Sequence, residues 1–303
     1  MRLNTVWAIT KQTASDWLED DASRLAASLA FYTLLSLAPL VIIAVAIAGM
    51  VLGPEAARGQ ISGALSEVVG REAAQGIQAV VASARSPASG TIGTIIGAVT
   101  LFIGASGVFG ELHFALNSIW EVRAKPGGGV LGEIKDRFFS FTMVLGVAFL
   151  LLVSLLLSAG LSAVGHFFAS SLPGGELSWQ ALNFVLSLVM VTGLFALILK
   201  YVPDVEIEWG DVWVGASVTA LLFTIGKSLL GIYLGKASVG SSYGAAGSLV
   251  VLIVWVYYSA QILFLGAEFT QVQARQRGRI IRPSKRAVAF RRDLGLGDPS
   301  PKH

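Results

Sequence analysis

Long apolar stretches, separated by short polar or glycine-containing segments, set the organisation of this chain. One stretch without a charge runs from Ala237 to Ala267. An apolar helix of about 20 residues already crosses a bilayer at about 1.5 Å per residue. Comparable runs predict six spans, at about 25–52, 92–110, 138–161, 179–199, 212–234 and 244–267. The expected fold class is therefore all-α, a polytopic membrane protein. Between the first and second spans, Ile61, Leu65, Val68, Ile77, Val80 and Ala84 recur at helical spacing, with Arg58, Glu67, Arg71, Glu72 and Arg85 between them. That pattern predicts an amphipathic helical segment on or dipping into the outer interface. Residues 1–24 also read as amphipathic, through Trp7, Ile9, Trp17 and Leu18, and are expected to lie at the membrane surface. The hydrophobic run after them is too long for a signal-peptide core, so no cleavage is expected. Residues 25–268 form the membrane domain, and residues 269–303 a basic tail whose end, with Gly295, Gly297, Pro299 and Pro301, is expected to be disordered.

Composition agrees with the pattern. Hydrophobic residues make up 54% of the 303 and charged residues only 14%, where a soluble domain has about a quarter charged. Charge placement adds an orientation. Of the 22 Lys and Arg, 17 fall in segments on one side of the six spans and 4 on the other, with Lys227 inside a span. Excess positive charge marks the cytoplasmic face, so both ends of the chain are expected there. There is no cysteine, and the three histidines (His113, His166, His303) are scattered. Neither disulfides nor a transition-metal site is expected, and no cofactor is indicated. No phosphate-binding G-x-x-x-x-G-K-[ST] motif occurs, so nucleotide does not energise the chain directly. An embedded enzyme would need an acid–base or metal cluster. The nearest pair is Glu111 with His113, which is thin ground for one, and no catalytic residues are assigned.

Several polar residues stand out against the apolar background. Lys227 sits in the outer half of the fifth span, with Thr224 on its face; it lines a polar cavity or snorkels to the headgroups. On the sixth span Tyr257, Gln261 and Glu268 share a face, which looks into the same cavity or serves interhelical hydrogen bonding. In the first span Ser28, Tyr32 and Ser36 repeat every four residues on one face, and Pro39 kinks the helix. Gate candidates lie at both mouths. On the inner side these are Arg24, Glu111 and Asn117, with Arg24 pairing to Glu111 or Glu268 or simply anchoring at the interface. On the outer side they are Tyr243, Gly244 and Gly247, in the run Tyr243-Gly-Ala-Ala-Gly247, which otherwise is a turn and a tightly packed helix start.

Three stretches carry a family resemblance: Arg24-Leu-Ala-Ala-Ser-Leu-Ala-Phe-Tyr-Thr-Leu-Leu-Ser-Leu-Ala-Pro39; Ala115-Leu-Asn-Ser-Ile-Trp120; and Tyr201-Val-Pro-Asp204, followed by Gly215, Tyr233, Tyr243-Gly-Ala and Leu265-Gly-Ala-Glu268. The chain resembles the YihY/BrkB family of bacterial inner-membrane proteins over roughly residues 15–275. The resemblance implies six spans, cytoplasmic termini, an inner-membrane location and a transport role with envelope lipid or a small solute as cargo. It brings no established binding residues. Members have also been labelled ribonuclease BN, a label the inner loops here do not fit, since they hold no hydrolytic cluster. The expected function is transport of a lipid, another anionic amphiphile or a small solute. The alternative is a non-transporting envelope scaffold docking through its basic tail. Expected partners are membrane lipids, with anionic headgroups at that tail, and no nucleic acid.

Overall fold

The computed structural model describes residues 3–36, 107–125, 175–236 and 247–290. The predicted outer amphipathic segment, the third span, and most of the first and second lie outside the described residues, as do Tyr243 and Gly244. The chain is mostly helical. Helix α1 is Leu3–Glu19, α2 covers 22–36, α3 covers 107–119, α4 is Gly175–Tyr201, α5 is Trp209–Lys236 and α6 is Gly247–Gln276. Among the described residues, four short strands follow the helix ends: β1 Val122–Ala124, β2 Val205–Glu206, β3 Arg282–Pro283 and β4 Ala287–Ala289. Among the described residues, three stretches are long and apolar enough to cross a membrane: Phe184–Tyr201, Trp209–Leu230 and Val250–Gln276. The last has 27 residues, more than the roughly 20 a bilayer needs. Its final turns carry Glu268, Gln271, Gln273 and Arg275, past the predicted end of the sixth span at 267.

Left-handed residues punctuate the helices. Asp21 (φ 52°) ends α1, and its carbonyl accepts the amides of Arg24 and Leu25 at 2.8 and 3.1 Å, so the same residue starts α2. Aspartate suits this position because it tolerates positive φ and favours helix starts. Gly278 (φ 72°) ends α6, with the amides of Gly278 and Arg279 donating to the carbonyls of Arg275 and Ala274 at 3.0 and 3.1 Å. This is a Schellman closure, and glycine meets its left-handed requirement without a Cβ penalty.

Helix α5 packs antiparallel on α6 through a reciprocal seam. Each helix carries glycine and threonine four apart, Gly215/Thr219 on α5 and Gly266/Thr270 on α6. A Cβ built on Gly215 would fall on the Thr270 side chain, and one on Gly266 would fall on Thr219. Both threonine hydroxyls donate to their own helix four residues back, Thr219 to the Gly215 carbonyl at 2.8 Å and Thr270 to the Gly266 carbonyl at 2.6 Å. With their hydrogens satisfied in this way, the threonine side chains lie against the facing glycine, hydroxyl oxygen nearest. Close backbone approach over small residues is how helices associate in lipid, where hydrophobicity cannot drive them together. Further along, Gly226 receives Tyr258 and Ile262. Helix α4 covers another side of α5, and α1 lies against α6. The residues expected at the membrane surface in α1 are thus partly committed to protein: Ile9 and Thr13 are buried while Trp7 and Leu18 are exposed.

The core lies at one end of the bundle, where α2 starts, α3 and α4 end and α5 begins. Leu25, Leu29, Leu116, Ile119, Trp120, Leu199, Val212 and Phe264 are among its buried residues. The chain after α6 closes this end. β4 pairs antiparallel with β1, with Val122 opposite Ala289, and β3 pairs antiparallel with β2, with Val205 opposite Pro283. Residues 277–290 therefore form a strap across the loops that follow α3 and α4.

Candidate functional site

Polar groups converge at the same end. Asn117 on α3 is only 6% exposed. Its side-chain carbonyl accepts the Asp204 amide at 2.7 Å, and its side-chain amide donates to the Asp204 carboxylate at 3.2 Å. His113, one helical turn earlier, approaches the same carboxylate at 3.0 Å. Burial acts to raise the Asp204 carboxyl, but the His113 hydrogen bond and charge and the Asn117 amide outweigh it and hold it below the ordinary 3.8. The group clamps the end of α3 to the loop between α4 and α5.

A second clamp binds the strap. Asp211 lies in the first turn of α5, where a negative charge complements the helix N-terminus. Its side chain is buried between Arg277 at 2.8 Å and Arg279 at 3.0 Å, and Arg279 also pairs with Glu208. Arg275 pairs with Glu121 at 3.0 Å, and the Gln271 amide donates to the Ile119 carbonyl at 2.9 Å. Beside these, Tyr201, Trp209 and Trp213 are exposed in a chain of ring contacts 6.1 and 6.3 Å apart, with the Lys200 ammonium 5.7 Å from the Trp209 ring. Exposed aromatics beside a cation suit the level of a membrane–water interface.

The third group is chemically the least settled. Glu268 on α6 is 0% exposed, and neither carboxylate oxygen meets a hydrogen-bond donor. The charged groups that face it are Asp20 and Asp16 of α1 and Arg275 of α6. Burial pushes the Asp16 carboxyl up, against the Gln12 hydrogen bond and the Arg275 charge. On the same two helices the Thr13 hydroxyl, the Trp17 indole N–H and both ends of the Gln273 amide are also buried without a partner. A buried unmatched polar group costs about 1–3 kcal/mol, so a cluster of them asks for a functional explanation.

The structure distributes the other candidates as follows. Ser36 is buried and Tyr32 exposed, and a Cβ built on Gly107 of α3 would meet both at 3.4 and 3.5 Å, so part of the Ser28, Tyr32, Ser36 face is turned toward α3; Ser28 is half-buried. Tyr257, Gln261 and Thr224 are half-buried, and the Thr224 hydroxyl donates to the Ala220 carbonyl at 2.8 Å. Lys227 is exposed, among the exposed apolar side chains of Leu221, Ile225 and Leu229. The α5–α6 register puts Glu268 near the level of residue 217, about 15 Å along the axis from Lys227, so the two are not brought together. Arg24 pairs with Asp21 at 3.6 Å in the exposed turn, rather than with Glu111 or Glu268. Glu111 is half-buried, and Gly247 opens α6. The partnerships of Asp204 and Asp211 were not legible in the sequence, although Asp211 stands where an acidic first turn is expected.

The family described as Virulence factor BrkB matches residues 13–289. Curated relatives include a UPF0761 membrane protein of Tolumonas auensis, 34% identical over 58% of this chain and 56% of the relative. UPF0761 membrane proteins of Albidiferax ferrireducens and Verminephrobacter eiseniae are 29% and 30% identical, each over 87% of this chain and 62% of the relative. The chain thus spans little more than half the length of these relatives. No solved structure matches it.

Proposed function

The chain belongs to the Virulence factor BrkB family of multi-pass membrane proteins, and from that premise we propose that it is a transporter of lipid, another anionic amphiphile or a small solute, rather than an enzyme. The observation that carries this reading is Glu268: an ionisable side chain fully buried near the end of an apolar helix, with no donor to satisfy it. An ionised side chain buried in this way costs several kcal/mol unless a proton or partner neutralises it, which marks Glu268 as a candidate functional group. Lipid is the favoured cargo because Lys227 lies on an exposed apolar face, where a cation meets anionic headgroups, rather than in an enclosed cavity. The proposal includes six spans, an outer amphipathic segment, an inner-membrane location and both chain ends in the cytoplasm, supported by the 17-to-4 division of Lys and Arg. Because the chain has no cysteine, single introduced cysteines report sidedness to an impermeant maleimide in intact cells. Reaction is expected at Ser241→Cys and not at Ser300→Cys; the reverse pattern removes the orientation.

Movement of phospholipid between the leaflets of proteoliposomes is the direct test. Wild type is expected to accelerate exchange, with Lys227→Ala and Glu268→Ala slower. Exchange no faster than in empty liposomes rules out uncoupled lipid movement. The alternative, a scaffold docking through its tail, has fewer free charges to use, since Arg275, Arg277 and Arg279 already pair within the chain.

A further inference from the structure

The interface between α1 and α6 holds a pair of carboxyls in conditions that two negative charges do not tolerate. Glu268 is fully buried, without a donor at either oxygen. Across from it α1 presents Asp20 and, one turn before, Asp16. The cation on its own helix, Arg275, is held 3.0 Å from Glu121 of the turn after α3, which diverts its charge. From the other side α5 meets α6 through Gly215, Thr219 and Gly226, none of which titrates. With Glu268 fully out of water and Asp20 half-buried facing it, two negative charges here oppose each other, because each raises the cost of the other's charge. Two carboxyls that face each other are neutralised most simply by one proton held between them.

We propose that Glu268 of α6 and Asp20 of α1 form a proton-binding site between the two helices, occupied by one shared proton at neutral pH. The proton comes from and returns to water, and no other bond changes. When it leaves, like charges face each other across the interface and α1 is pushed from α6, so occupancy is linked to the seating of α1. As the coupling ion of a transporter the proton rests on the transport proposal; its occupancy of the site does not.

The test is infrared spectroscopy of the full chain in lipid nanodiscs, titrated with pH. Wild type is expected to show the carbonyl stretch of a protonated carboxyl at neutral pH, and Glu268→Gln to lack it. No such band in wild type, or a band unchanged in Glu268→Gln, overturns the site. If Glu268→Gln does not fold, Asp20→Asn decides. Removing that facing charge is expected to lower the pH at which the band disappears by about one unit, and an unmoved midpoint overturns the pairing. A band present in protein that exchanges no lipid keeps the proton site and counts against transport. Lipid exchange without a band does the opposite.

Discussion

Asn117 shows how much one side chain can hold at this end of the bundle. It accepts from the backbone of Asp204 and donates to its carboxylate across 87 residues of sequence. Replacing it with alanine leaves an amide and a carboxylate short of partners, so Asn117→Ala is expected to lose about 1–3 kcal/mol of stability, read as a lower melting temperature in detergent. Asp204 gives a pH signature. Its folded carboxyl is held below 3.8, its ordinary value. A depressed carboxyl stabilises the fold above the unfolded value, and that contribution is lost as pH falls through the folded one. Wild type is therefore expected to lose stability more steeply below about pH 4 than Asp204→Asn, which starts lower at neutral pH but lacks this titration. Parallel acid-limb curves would show that the carboxylate carries no such linkage.

Among elements, the α5–α6 seam makes the sharpest demand on sequence. Gly215 and Gly266 each face a threonine with no room for a methyl group. Gly215→Ala and Gly266→Ala are each expected to destabilise by about 1–3 kcal/mol, the usual range for overpacking. The reciprocal geometry adds a rescue: Gly215→Ala combined with Thr270→Gly should recover part of the loss, whereas Gly215→Ala with Thr219→Gly should not. Failure of the first pair to differ from the second in melting temperature would locate the strain elsewhere. The helices themselves were legible because an apolar run of span length has few other outcomes in a chain of this composition. Where they stop was less legible. Helix α6 runs to Gln276, nine residues beyond the predicted end of the sixth span at 267, because leaving an apolar layer does not break hydrogen bonds; Gly278 does. The sequence placed Glu268 and Asn117 among the candidates as polar residues at helix ends. It could not pair Glu268 with Asp20 or Asn117 with Asp204, since those contacts join segments far apart in the chain. For Lys227, position in the span was readable but the side of the helix it occupies was not.

At the scale of the whole molecule, the basic segment after α6 is a structural closure as well as a charge signal. Positive charge beside a span is sufficient to orient a membrane protein, and that account needs no ordered structure. Here the strap adds β3 and β4 to loops from two other helix ends and places Arg277 and Arg279 on the buried Asp211. Removing residues 277–303 would leave Asp211 a buried charge without its cations, a loss of about 3–5 kcal/mol, and would take the pairing from β1 and β2. Truncation is therefore expected to lower the melting temperature of the whole chain and to loosen the turn after α3, whose helix end keeps its Asn117–Asp204 clamp, not merely to remove a docking tail. A cross-link reports the closure directly. Val122 and Ala289 stand opposite each other in an antiparallel pair, where Cα atoms are about 4.5–5.5 Å apart, within reach of a disulfide. In this cysteine-free chain, Val122→Cys with Ala289→Cys is expected to oxidise to an intramolecular bridge, seen as two fragments that stay joined after proteolysis between them until a reductant is added. Truncation that leaves stability untouched, together with no bridge, would return the segment to the role of a free tail and restore docking through it as the stronger alternative to transport.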